Sequence, residues 1–294
     1  MRAREIGLAV KASLLGVAAL YVSALSEANA QQAPPSSQQS AGAPVDNNGV
    51  DFTRPQTLLQ LRYIYQTAPG SGIVPGTTRT VTSDTGVLRS DVKIDLTQQW
   101  TLALRGDLPF VAKDAITADD PGGAYVGGLG DADAQAALIR TISARWAAGG
   151  GLRIIAPTGT EDLSSGKWQA LPIVGARYML PELSSGSFFT ALARYDVGFA
   201  GPSTKNISNL QLAPTLNVSL PDHWFVTFYP DPDIRLNYGS PIVGQTGRLF
   251  LPLDLMVGRE VTNDITVSLE VGFPIVNDYP VYNFKTVVRF NRTF

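Results

Sequence analysis

Any chemistry in this chain must be done without thiols and almost without imidazole. The 294 residues hold no cysteine and one histidine, His223. Disulfides, thiolate nucleophiles and the usual zinc ligand sets are therefore excluded. His223 ends Pro221-Asp222-His223, a turn signature just before Trp224, so it reads as an interfacial turn residue. As the base of a lipid hydrolase it would need a serine beside it at the outer rim of a barrel. Asp131 with Asp133, and Asp231 with Asp233, are spaced to share one side of an extended strand. Two carboxylates alone make a thin cation site, and pairing with arginines is the stronger expectation. Gly127-Gly128-Leu129-Gly130-Asp131 has the glycines of a phosphate loop but lacks the full spacing and leads into a period-two segment instead of a helix. The Asn-x-Ser/Thr triplets at Asn206, Asn217 and Asn291 read as ordinary strand and loop residues.

What remains is a mixed set of charges that keep to one parity of their segments. It comprises Arg62, Arg89, Asp91, Lys93, Arg105, Asp107, Asp133, Arg153, Arg177, Arg194, Asp196, Asp254, Glu270, Lys285 and Arg289. Such a set can stiffen a wall as cross-strand ion pairs, or it can form a charge screen and binding path around an enclosed lumen. No catalytic constellation, cofactor motif or metal-ligand set stands out, so no catalytic residue, cofactor or resident metal is expected.

The elements that position these charges are clearest at residues 87–110. On the first arm Leu88, Ser90, Val92, Ile94 and Leu96 alternate with Arg89, Asp91, Lys93 and Asp95. After the polar turn Thr97-Gln98-Gln99, the return arm sets Trp100, Leu102, Leu104, Leu108 and Phe110 against Arg105 and Asp107. Period two makes each arm a strand with one apolar and one charged face. Each arm is about ten residues, the length a tilted strand needs to cross a bilayer.

The theme recurs from Pro55 to the end of the sequence. Residues 68–78, 111–128, 158–166 and 201–208 read as connections, and Pro230 and Pro232 interrupt a ladder as a bulge or break. Gly149, Gly150 and Gly151 would admit bulky neighbours inside a barrel or relieve its curvature. The count is about twelve strands, so the predicted fold is all-β, a single antiparallel transmembrane barrel over residues 55–294 without helices.

Residues 1–30 read as a signal peptide. Arg2, Arg4 and Lys11 precede an apolar run, and Ala28-Asn29-Ala30 is a small-x-small cleavage pattern. Its removal takes three basic and two acidic residues from totals of 23 and 25 and leaves a net charge of −3, with no footprint for nucleic acid. Residues 31–54 lack periodicity and read as a disordered periplasmic tail, with a short plug inside the barrel as the alternative. No later stretch is apolar for long enough to be a spanning helix, so a membrane location requires a closed barrel.

A soluble barrel turns its apolar face inward and an outer-membrane barrel turns it toward lipid. Short connections of about three to five residues alternate with longer ones, as periplasmic turns alternate with outer loops. Trp100, Trp146 and Trp224 each follow a short turn on the apolar parity, as an interfacial girdle would. Phe294 has the place of the terminal aromatic by which barrel-insertion machinery recognises such chains, with both termini periplasmic. Twelve strands ~4.8 Å apart and tilted ~40° close at a diameter of roughly 24 Å, too wide for these aliphatic residues to fill as a dry core. The apolar parity is therefore expected to meet outer-membrane lipid.

At Gly128-Leu129-Gly130-Asp131, Pro157-Thr158-Gly159 and Leu251-Pro252-Leu253 the chain resembles the bacterial MetA-pathway of phenol degradation family, in order and spacing over most of residues 89–294. The resemblance implies an outer-membrane barrel admitting aromatic or other hydrophobic small molecules, without a catalytic constellation. The expected function is a monomeric, non-enzymatic channel for a small-molecule solute. A structural barrel with a sealed lumen and a lipid-modifying enzyme are the alternatives.

Overall fold

A computed structural model describes residues 49–69, 80–116, 120–160, 162–242 and 244–294. The expected signal peptide and residues 31–48 lie outside the described residues.

The strands are β1 (Leu58–Pro69), β2 (Thr80–Asp95), β3 (Trp100–Ala115), β4 (Ala124–Leu129), β5 (Asp133–Thr141), β6 (Trp146–Ile155) and β7 (Trp168–Met179). They continue as β8 (Phe188–Ala200), β9 (Ser208–Ser219), β10 (Trp224–Phe228), β11 (Ile234–Asn237), β12 (Leu249–Glu260), β13 (Ile265–Asn277) and β14 (Phe284–Thr293). All pairings are antiparallel, most of them between neighbours in the chain, and β1 closes the ring on β14 with Leu58 opposite Thr293 and Thr67 opposite Phe284. Closure joins the first and last strands of the ring, which is how a sheet satisfies its backbone in lipid, while β4 pairs on one side only.

Fourteen segments make a closed twelve-strand barrel because two walls are broken. β4 and β5 both pair β3, and β10 and β11 both lie between β9 and β12. Residues 111–128, expected as one connection, instead extend β3 to Ala115 and return as β4. The alternation there fails, with Asp114 on the apolar parity, Val111 beside Lys113 on the other, and small residues between, which is why the hairpin escapes a pattern reading. The break between β10 and β11 falls at Pro230 and Pro232, where proline cannot donate to the ladder. Pro214 and Pro252 stand on β9 and β12 beside that break, and β12 carries a register shift at Leu251/Pro252.

The side chains settle which way the faces point. Leu61, Val174, Leu255, Leu269 and Val288 are exposed on the outer surface. Arg89, Asp107, Arg177, Asp254, Glu270 and Lys285 are buried within the ring. The barrel is thus apolar outside and ionic inside, opposite to a soluble one.

The expected role of glycine is visible at Gly258, register partner of Phe225 on β10. A Cβ there would lie 2.8 Å from Phe225 Cε2 and 2.7 Å from Ser268 Cβ, so the ring occupies the space a side chain would need. Gly258→Ala is expected to cost about 1–3 kcal/mol by overpacking. Thermal unfolding in detergent, followed by the loss of the fast-migrating folded band on gels, should show a lower midpoint. Gly86→Ala, which meets nothing within 4 Å, should leave it in place.

Candidate functional site: an ionic lumen entered by two segments

Cross-strand register places opposite charges face to face on β2 and β3, Arg89 against Asp107 and Asp91 against Arg105. Both pairs are two-pronged, at 2.7 and 3.0 Å for the first and 2.8 and 2.7 Å for the second. On the next strand Asp107 faces Asp133, a like-charge pair that would repel. Arg153 of β6 relieves it by bridging to Asp133 and, at 3.5 Å, to Asp107.

The first inward segment is the break in the wall between β10 and β11. Tyr229 has φ 50 and turns the chain inward, so that Pro230 to Asp233 line the interior cavity. Its amide donates to the Asp254 carbonyl at 3.0 Å and its own carbonyl accepts from Thr215 Oγ1 at 2.7 Å. Asp231 reaches Arg289 at 2.6 Å, and Asp233 accepts from Lys285. Lys285 also contacts Glu270 and, at 2.9 Å, Asp254, while Arg289 contacts Glu270 and Met256 Sδ. Asp233, Asp254 and Glu270 converge within 4.8 Å, the spacing of a cation site, and the Lys285 ammonium contacts all three. A fixed side-chain cation thus stands where a metal would.

The second segment precedes β1. Asp51 Oδ1 accepts from Thr53 N and Oγ1 at 2.9 and 2.7 Å, and Oδ2 accepts from Arg54 Nε at 2.7 Å and Arg177 Nη1 at 3.0 Å. Phe52 lies against Gly175, where a Cβ would come within 2.7 Å of its ring. Of the stretch expected as a tail or plug, residues 49–54 are therefore inside the barrel. Nothing in their sequence announces it, because Asp51 and Phe52 belong to no periodic pattern. Between the two segments lies a cavity of about 450 Å³.

Of the fifteen residues expected to line a lumen, fourteen face the enclosed interior. Lys93 is the exception. It keeps the inward parity but lies near the rim, solvent-exposed and 2.9 Å from exposed Asp95. Parity sets the face of a strand, and depth decides whether that face is enclosed. Arg235 joins the set through the short alternation of β11, where it points inward opposite Gln211.

The acidic pairs separate in role. Asp231 and Asp233 meet cations as the sequence led us to expect. Asp131 instead accepts from Ser164, Ser165 and the Gly159 amide, at 2.6 to 3.1 Å. Gly128 to Asp131 therefore meets Pro157 to Gly159 in space, and residues 156–160 and 162–167 are stapled over the break between β4 and β5. His223 stands exposed in the 3-10 turn Pro221–His223, with Nδ1 3.7 Å from Glu260. The exposed aromatics Trp100, Trp146, Trp224 and Phe294 all lie at the short-turn end of the barrel. Arg140, Arg259 and Arg292 stack over Trp100, Trp224 and Phe294 at 5.5, 5.6 and 5.5 Å.

The family model described as "Putative MetA-pathway of phenol degradation" matches residues 65–229. A crystal structure of an outer membrane channel from Pseudomonas putida F1 superposes with a TM-score of 0.65 at 18% identity, covering 85% of this chain and 100% of that one. The NanC porin matches with a TM-score of 0.48 at 11% identity, over 80% and 98% of the two chains. The transport unit of the autotransporter AIDA-I from Escherichia coli gives 0.49 at 8% identity, over 83% and 91%. No curated protein matches the sequence.

Lys285→Met would leave three carboxylates converging without their cation. It is expected to destabilise the barrel by about 3–5 kcal/mol, measured as thermal unfolding in detergent, with part of the loss restored by millimolar Ca²⁺. Arg145→Ala, which breaks an exposed pair with Glu182, should leave the midpoint unchanged.

Proposed function

Because this chain belongs to the MetA-pathway of phenol degradation family, we propose that it is a bacterial outer-membrane channel through which a small molecule diffuses along the ionic lumen. The observation that carries the reading is the cavity between the two inward segments, enclosed by a wall that is apolar outside and charged inside. Aromatic or other hydrophobic compounds are the solutes we favour. In this reading the signal peptide is cleaved after Ala30, the short turns and both termini face the periplasm, and Phe294 engages the insertion machinery of a monomeric barrel.

Transport through such a path needs no covalent chemistry. Paired charges keep the interior hydrated, and the path runs past Val50 and Phe52 on one side and Pro230 to Asp233 on the other. The enzymatic alternative loses support because His223 stands at the short-turn end, the periplasmic rim of this topology.

Liposome swelling tests the channel. The protein should pass small solutes slowly, and Phe52→Ala combined with Asp51→Asn, which loosens the segment beside Arg177, should speed the flux severalfold. No flux of charged or aromatic solutes through either protein would overturn the channel reading and favour the sealed, structural barrel.

A further inference from the structure

Most cations lining the lumen are closely matched by anions, and Arg194 and Arg235 are not. Arg89, Arg105, Arg153, Arg177, Lys285 and Arg289 each contact a carboxylate at 3.0 Å or closer. Arg62 donates to Gln60 Oε1 at 2.8 and 3.1 Å. Arg194 has no hydrogen-bond or ion-pair partner among the described residues, and its Nε is buried. Arg235 reaches Asp233 only at 3.6 Å, and its Nε is likewise buried without a partner. Arg194, with a buried Nε and no carboxylate within ion-pair distance, and Arg235, part-exposed and held only loosely by Asp233, leave guanidinium donors open to an anion.

The two arginines share one layer of the wall. Arg194 of β8 is opposite Gln211 of β9, and Gln211 is opposite Arg235 of β11, so both flank the Gln211 carboxamide on the inner face. Asp196, the nearest acid on that face of β8, is occupied elsewhere. With Gln169 oriented to satisfy its neighbours, the Gln169 amide donates to both Asp196 oxygens at 3.0 and 3.2 Å. Arg194 and Arg235 both border the 450 Å³ cavity.

Below this layer, toward the short-turn end, one apolar step lines the cavity before Thr190 and Thr215 follow on the same strands. Leu192 precedes Arg194 on the same face, Ala213 follows Gln211, and Phe52 lies against Gly175, the register partner of Leu192. Ile173 sits directly opposite Arg194. A planar fork of donors above an apolar floor matches a carboxylate carried on a compact hydrophobic body.

We propose that Arg194 and Arg235 form an anion subsite in the lumen that binds small monocarboxylates with an apolar body, such as an aromatic acid, with the ring seated on Phe52, Leu192 and Ala213. The inference rests on the channel reading for its biological meaning, but the binding itself requires no open path.

Equilibrium dialysis of the folded, full-length protein in non-ionic detergent with radiolabelled benzoate reads the subsite directly. One saturable site is expected. Arg194→Gln should weaken it by about tenfold or more, the effect of losing hydrogen bonds to a charged group. Arg194→Lys, which keeps the charge but loses the fork, should fall between. Should Arg194→Gln fail to show the folded band, Arg235→Gln carries the same comparison, since it too should weaken binding. Benzyl alcohol, with the ring but no charge, should not displace benzoate, and inorganic phosphate should do so only at much higher concentration. Absence of saturable binding, equal binding by wild type and the folded glutamine variants, or displacement by benzyl alcohol or phosphate as readily as by benzoate itself would overturn the subsite. Any of these leaves the channel reading to the swelling assay, which fails or succeeds independently.

Discussion

Pairing of opposite charges across the inner face is the interaction on which this barrel depends. A twelve-strand ring encloses too much space for its side chains to fill with hydrocarbon, so the interior must be ionic and hydrated, and each buried charge needs a partner. Register supplies many partners without further design. Arg89 meets Asp107 and Arg105 meets Asp91 because they sit opposite one another on neighbouring strands. Where register sets two acids together, as at Asp107 and Asp133, an arginine from the next strand bridges them. Around Lys285 the arrangement extends beyond the wall, since Asp233 comes from the segment that has left it.

That departure links the backbone to the lumen. Prolines at 230 and 232 remove donors from the ladder where β10 gives way to β11, and Tyr229 turns the chain inward. The cost of a broken wall is offset by the salt bridges that Asp231 and Asp233 make with Arg289 and Lys285. The other break, between β4 and β5, is covered differently, by a loop stapled to Asp131. Leu251 to Leu253 flanks the first break, and Gly128 to Asp131 with Pro157 to Gly159 forms the second. The short motifs that carry the family resemblance thus coincide with the two irregularities of the wall.

Most of the barrel was legible in the sequence because strand periodicity is strict and both faces are marked, by leucines on one side and by arginines and aspartates on the other. The parity of Asp254, Glu270, Lys285 and Arg289 alone places them inside, where they are buried. Three features were not legible, for separate physical reasons. The β3–β4 extension puts Asp114 on the apolar parity and Lys113 beside Val111 on the other, so its two faces do not separate in the sequence. Lys93 has the right parity at the wrong depth, and depth is set by tilt and shear, which leave no local mark. The segment at Asp51 and Phe52 is held by tertiary contacts alone, with Arg177 and with the space above Gly175. The emptiness beside Arg194 is likewise a property of the assembled lumen, because a pattern of alternating charges does not say which arginine will lack a carboxylate.

Site-directed spin labelling in reconstituted bilayers tests the orientation of the faces most directly. Labels at Leu212 and Leu253 should be accessible to oxygen and shielded from a water-soluble nickel complex, and labels at Gln135 and Gln211 should show less oxygen access and more contact with water. The reverse pattern, with Leu212 and Leu253 in water and the glutamine positions in hydrocarbon, would contradict the account.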